Sequence, residues 1–213
     1  MDLCIDFRKL IGILNIDAPV HLTPRDNLNK HNYVLCKIMG EEETRAVIDG
    51  THNPDKKYND EDLGLYFPDV DIDEYLHLEN GRNPMAIKSH IDELSCITRV
   101  YIKEYSLAIA IYTILHEYGH WIYFLNSGKT SYEYCEMEKS IRQPYEKVWE
   151  EIYKMHDLDP MKRILGEKYN EEIYSQFPSE KFADDYAKDH FLESLKIVRN
   201  ALGYDEQDLI SMD

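Results

Sequence analysis

Apolar residues crowd one stretch of the chain, Leu107 to Asn126 (LAIAIYTILHEYGHWIYFLN), where nearly every position outside a central His-Glu-Tyr-Gly-His is hydrophobic. A helix that is apolar all round is a buried one, so this stretch predicts a helix through the middle of the core. Elsewhere the pattern is periodic. Leu3, Phe7, Leu10, Ile11 and Leu14 fall at helical intervals and predict an opening helix over 2–14, with Pro19 beyond its end. Val20–Thr23, Tyr33–Ile38 and Thr44–Ile48 are short runs rich in β-formers and predict strands of a small sheet. Asp49-Gly50 and Thr51-His52-Asn53-Pro54 carry turn chemistry, and the polar stretch from there to Leu63 predicts an exposed loop. Asn80-Gly81-Arg82-Asn83-Pro84 predicts a turn. Thr98–Tyr105 alternates Thr98, Val100 and Ile102 with Arg99, Tyr101 and Lys103, which predicts a half-buried strand leading into the apolar helix.

The second half reads as helical. Asn126-Ser127-Gly128-Lys129 is a stop signal. Tyr134, Met137, Ile141, Tyr145, Val148, Trp149 and Ile152 then recur every three or four residues, predicting a helix over 132–156 with a break or kink at Pro144. Met161–Phe177 predicts a short helix with irregular ends. Pro178 suits a first helical position and opens a last long helix to about Leu202. Ala183, Ala187, Phe191, Leu195 and Val198 form its buried stripe, with Glu180 and Asp184 on or beside that stripe. Gly203–Asp213 predicts an acidic, frayed end. With no internal repeat, low-complexity segment or linker, the chain reads as one α+β domain over 1–213: helix and small sheet in 1–106, buried helix and helical half in 107–202, and the acidic tail in 203–213.

The central pentapeptide adds chemistry. Residues four apart share one face of a helix, so His116 and His120 can point at one cation, with Glu117 beside its open side. Zinc suits two imidazoles, and a catalytic zinc needs a third protein ligand plus a position for water. Two histidines and a glutamate inside so apolar a helix carry a desolvation cost unless they are paired or bound to metal. Gly119 lacks a Cβ and would let another segment approach the metal face. The small alanines of the last helix suit that approach, and Glu180 at its near end is a candidate third ligand; Glu133, Glu136 and Glu138, nearer in sequence, are rivals.

Charge and cysteine usage narrow the setting. Among 213 residues, 41 are acidic and 24 basic, a net charge of −17, which argues against binding nucleic acid. It favours a basic partner or substrate, although charges spread along the whole chain also serve solubility. The four cysteines are scattered with no C-x-x-C, which reads as reduced thiols in a cytoplasmic protein. No secretory signal is visible, and the one stretch near membrane-spanning length is interrupted by His-Glu-Tyr-Gly-His, so no membrane segment is expected. The acidic run Asp69–Glu74 lacks the glycine and distal glutamate of a helix-loop-helix calcium loop and reads as an exposed strand or turn.

His116-Glu117-Tyr118-Gly119-His120, followed on a later helix by Glu180-Lys181-Phe182-Ala183-Asp184, resembles the paired motifs of gluzincin zinc peptidases. In local wording it is closest to the ImmA/IrrE-like metallopeptidases and also similar to HtpX-like ones, whose second motif reads E-x-x-A-[DN]. The resemblance covers about thirty residues in two blocks. It implies a zincin-like fold with a small sheet packed on the H-E-x-x-H helix, and Zn2+ held by His116, His120 and Glu180. It further implies Glu117 as general base in peptide-bond hydrolysis of a protein or peptide substrate, and Asp184 as hydrogen-bond partner of a ligand histidine. Tyr174, Tyr134 and His190 are the candidate donors to the oxyanion. Such relatives act in bacteria, phages and mobile elements, often on DNA-binding repressors. Sixty positions separate His120 from Glu180, long for that group, which implies a helical insertion. A non-catalytic zincin-like protein that captures a host or partner protein is the alternative, and the intact Glu117 argues against it. A helical interaction protein with a chance motif would bind no metal. Oligomeric state is not legible.

Overall fold

The computed structural model describes residues 5–27, 34–82, 84–102, 104–156, 169, 172–204 and 210–211. It is α+β. In chain order the elements are α1 (Phe7–Leu14), β1 (Val20–Pro24), β2 (Leu35–Lys37), α2 (Glu41–Ile48), β3 (Gly64–Asp69), α3 (Ile72–Arg82) and α4 (Pro84–Thr98). β4 (Val100–Tyr101), α5 (Tyr105–Ser127), α6 (Ser131–His156), α7 (Pro178–Leu202) and β5 (Ile210–Ser211) follow. The opening helix begins where Asp6 accepts a hydrogen bond from the Lys9 backbone N–H at 2.8 Å, a side-chain N-cap, and it stops at Asn15 in the left-handed region. It buries Phe7 and Leu10 completely, and the Phe7 ring stacks on Phe67 of β3 with centroids 5.1 Å apart.

β3 is the centre of the three-stranded sheet, with β1 parallel on one side (Val20 opposite Leu65) and β2 antiparallel on the other (Cys36 opposite Leu65). β2 is therefore an edge, and that edge turns toward α5. The sequence reading did not foresee β3. Leu65 and Phe67 are fully buried, Leu65, Phe67 and Pro68 leave few polar positions, and Gly64 gives no side chain to alternate. Gly64 is needed: at φ 131° a Cβ there would lie 2.3 Å from the carbonyl oxygen of Pro19, the residue just before β1.

Other expectations need correction. Thr44–Ile48 is not a strand but part of α2. Glu41, Glu42 and Glu43 fill its first turn, where acids favour a helix start, and no residue of it is buried, so its β-branched residues find no sheet to join. The strand expected over Thr98–Tyr105 shrinks to Val100–Tyr101: α4 runs through Thr98, whose hydroxyl bonds back to the Leu94 carbonyl at 2.7 Å, and Arg99 turns the chain at φ 54°. Asn80–Arg82 close α3 and Pro84 opens α4, so no separate turn segment stands there; residue 83 lies outside the described residues. α6 continues through Pro144 without a break. In the acidic run, β3 ends at Asp69 and α3 starts at Ile72, with the Asp71 carboxylate accepting from the Asp73 N–H at 2.8 Å, so these acids end a strand and cap a helix. Most of the helix expected over 161–177 lies outside the described residues. In the tail, Ile210–Ser211 pair with β4 instead of fraying, while 205–209 and 212–213 lie outside the described residues.

The apolar run behaves as its composition requires. Ala108, Ala110, Ile111 and Ile114 of α5 are fully buried. Its longest packing partner is α7, whose stripe of Ala183, Ala187, Phe191, Leu195 and Val198 is also buried. Gly119 of α5 sets the separation: a Cβ there would sit 2.8 Å from the Ala183 Cα and 3.1 Å from its carbonyl oxygen. Among the described residues no helix is long and apolar enough to cross a membrane.

Candidate metal centre

Close approach of α5 and α7 brings the two sequence motifs together. His116 and His120 lie one turn apart on α5, and their Nε2 atoms are 3.1 Å from each other. Glu180, in the first turn of α7 and only 3% exposed, brings Oε2 to 3.2 Å from His120 Nε2 and 3.6 Å from His116 Nε2. Donor atoms on a tetrahedron around zinc, at bonds of about 2.0–2.1 Å, would be spaced about 3.3–3.4 Å apart. The three separations in the structure bracket that spacing, so the donor set fits a four-coordinate cation with one vertex left open. Among the described residues this is the one group able to hold a metal ion.

Asp184 lies one turn along α7 from Glu180 and faces α5. Its Oδ1 accepts from His116 Nδ1 at 3.0 Å and from the Tyr112 hydroxyl at 2.9 Å. A proton fixed on Nδ1 leaves the Nε2 lone pair facing the cluster. Burial would lower the His116 pKa, but the bonds to Asp184 and Glu180 outweigh it and push it up to about 10. Burial would likewise raise Glu180, yet hydrogen bonds from His116 and His120 hold its carboxyl well below the usual carboxylate range.

Glu117 follows His116 on α5 and faces the same cavity. Its burial pushes its carboxyl above the ordinary range, against the pull of His116 and His120, and the Cys36 backbone N–H of β2 also acts on it. Glu117, His116, His120 and Glu180 share the wall of a cavity of about 450 Å³ with Val34, Leu35, Cys36 and Ile38 from around β2, and with Tyr134, Cys135, Glu138, Arg142, Tyr174 and Ser179.

The candidate oxyanion donors separate. Tyr134 is buried on the cavity wall, and burial raises its pKa. Tyr174 is 45% exposed overall, but its hydroxyl reaches Glu180 and Arg142, and burial of that end together with the charge of Glu180 raises its pKa, keeping it a donor. His190 is not brought to the site: it is exposed, against Tyr186 at 4.3 Å, and is not part of the cavity wall. The rival ligands take other work. Glu133 accepts from Thr130 N–H and hydroxyl at 3.0 Å in a capping box at the start of α6, and exposed Glu136 pairs with Lys139. Glu138 faces the cavity, but its Oε2 is taken by the Ser179 hydroxyl at 2.7 Å and Arg142 Nη2 at 3.3 Å.

Sequence reasoning missed Arg142, Tyr112 and the β2 edge. The one signal for Arg142 was its i, i+4 spacing from Glu138 on a helix. Tyr112 stands one turn before His116 but looked like any apolar position of a buried helix. Compared with protein-family models, curated proteins and solved structures, the chain matches none.

Proposed function

We propose that the chain is a zinc-dependent metallopeptidase of gluzincin type, hydrolysing a peptide bond in a protein or peptide substrate. The observation that carries this reading is the spacing of His116 Nε2, His120 Nε2 and Glu180 Oε2 at 3.1–3.6 Å, on the wall of a cavity that also exposes Glu117. Zinc held by these three residues would supply a Lewis acid for the scissile carbonyl and acidify a water. Glu117 takes the proton of the attacking water and returns it to the leaving amine; a carboxyl raised by burial is closer to working pH and better suited to both transfers. Tyr174 donates its hydroxyl to the developing oxyanion. An extended substrate segment pairs its backbone with the edge of β2, beside Glu117. The net charge of −17 favours a basic segment there.

The test is elemental analysis of protein purified without chelators or affinity metals. About one zinc per chain is expected for the wild type, and little or none for Glu180→Ala. Glu117→Gln should keep the metal and lose proteolysis of an unstructured basic substrate. A folded wild type that contains no metal and refuses added zinc would sink the proposal, and cleavage that survives Glu117→Gln would remove the mechanism.

A further inference from the structure

The residues between the two motifs are more than a spacer, because α6 returns one side chain to the metal cluster. Arg142 Nη2 donates to Glu180 Oε1 at 2.9 Å, while Glu180 Oε2 is the oxygen that faces the histidines. We infer that Arg142 is a positioning residue for the metal centre: it holds Oε1 of Glu180 so that the carboxylate offers a cation one oxygen and not two.

This inference rests on the metallopeptidase reading and deepens it. A carboxylate can bind a divalent cation through one oxygen or both. If Glu180 used both, it would take the vertex that a catalytic site must leave open for water and substrate. A guanidinium bond to one carboxylate oxygen is charge-assisted and directional, which makes it suited to deciding between the two modes. Arg142 is itself held from several sides. Glu138, one turn before it on α6, accepts from the same Nη2 at 3.3 Å, and the Ser179 hydroxyl fixes Glu138 Oε2 at 2.7 Å. The guanidinium carbon lies over the rings of Phe177 and Tyr174, 5.1 and 5.3 Å from their centroids. Phe177, Ser179 and Glu180 are nearly consecutive at the start of α7, so the lock spans α6 and the α7 N-terminus. It also gives the half-buried Glu138 a purpose: its Oε1 atom is buried and has no hydrogen-bond partner among the described residues, a cost the chain bears while Oε2 steadies the arginine.

The experiment compares wild type with Arg142→Gln and Arg142→Met. Zinc affinity is measured by competition with a chromophoric chelator, and the cobalt-substituted proteins are examined by visible absorption. Because the Arg142 side chain is 30% exposed, either variant is expected to fold, which far-ultraviolet circular dichroism checks; two unlike replacements keep the test alive if one does not. Expected are a loss of zinc affinity of about 10–100-fold and a cobalt spectrum weakened from the intense bands of a four-coordinate site toward the faint ones of higher coordination. A folded variant with wild-type affinity and an unchanged cobalt spectrum would overturn the role of Arg142 alone. A wild type that takes up neither metal would overturn the metallopeptidase reading, and this role with it.

Discussion

His116 can serve a cation only through Nε2, and what fixes that orientation is Asp184, which also holds the Tyr112 hydroxyl. Asp184→Asn keeps the shape but lets an amide N–H face Nδ1, which favours the wrong tautomer. Zinc affinity is expected to fall about 10–100-fold without loss of fold, and a chelator titration reads it. Equal affinity in the variant would remove the positioning role. The cavity cysteines make a separate residue-scale prediction. Burial, then the nearby Glu117 charge, raises the Cys36 thiol, and burial, then Glu43, pushes Cys135 up to about 11. Since the thiolate is the nucleophile, a raised pKa means less reactive species at neutral pH, with Cys135 reactivity returning as pH climbs toward that value. Timed iodoacetamide labelling read by mass spectrometry at pH 7.5 should modify exposed Cys96 well before Cys36 or Cys135. Comparable rates for all three would contradict the burial that raises Cys36 and Cys135.

At the scale of elements, the site depends on how closely α5 and α7 meet, and two glycines test that. Replacing Gly with Ala inside a helix gains about 1 kcal/mol of propensity. At Gly12 of α1 nothing lies within 4 Å of an added Cβ, so Gly12→Ala should gain most of it. At Gly119 the added Cβ meets the Ala183 backbone at 2.8 and 3.1 Å, atoms that cannot move aside as a flexible side chain can. Overpacking of that kind typically costs about 1–3 kcal/mol, so Gly119→Ala is expected to be neutral to destabilising by about 2 kcal/mol net. It should also weaken zinc binding by spreading the two helices. Urea melts of the metal-free proteins give the first number and chelator competition the second; a Gly119→Ala as stabilised as Gly12→Ala would mean the helices are not in tight contact. These helices were legible because their signals are long and local: an unbroken apolar run for one, and Ala183 to Val198 at helical spacing for the other. Short elements were not. Thr44, Val47 and Ile48 look like strand formers until the acids before them start a helix, and β3 does not alternate because it is covered as a central strand. The role of Arg142 was hidden for another reason: beyond its i, i+4 spacing from Glu138, on a charged amphipathic helix it looks like any solvated arginine, and only tertiary packing of α6 gives it a target.

For the whole molecule, the cluster joins a helix from the middle of the chain to one near its end, so occupancy should be felt as global stability. A ligand bound only by the folded state stabilises by RT ln(1 + [L]/Kd), about 4 kcal/mol at a thousandfold excess over Kd. In a chain of 213 residues each 1 kcal/mol moves Tm by about 2–4 °C. Saturating zinc is therefore expected to raise Tm by about 8–16 °C over chelator-stripped protein. The rise should vanish in Glu180→Ala, which separates the site from adventitious binding to surface acids, and with a net charge of −17 that control matters. Salt must be held constant between arms, because screening relieves repulsion among the acids whether or not metal is bound. A zinc-dependent rise that persists in Glu180→Ala would locate the metal elsewhere on the acidic surface. A rise confined to the wild type would mean that α5 and α7 are coupled through the cation, so that losing the metal loosens the packing that also positions Glu117.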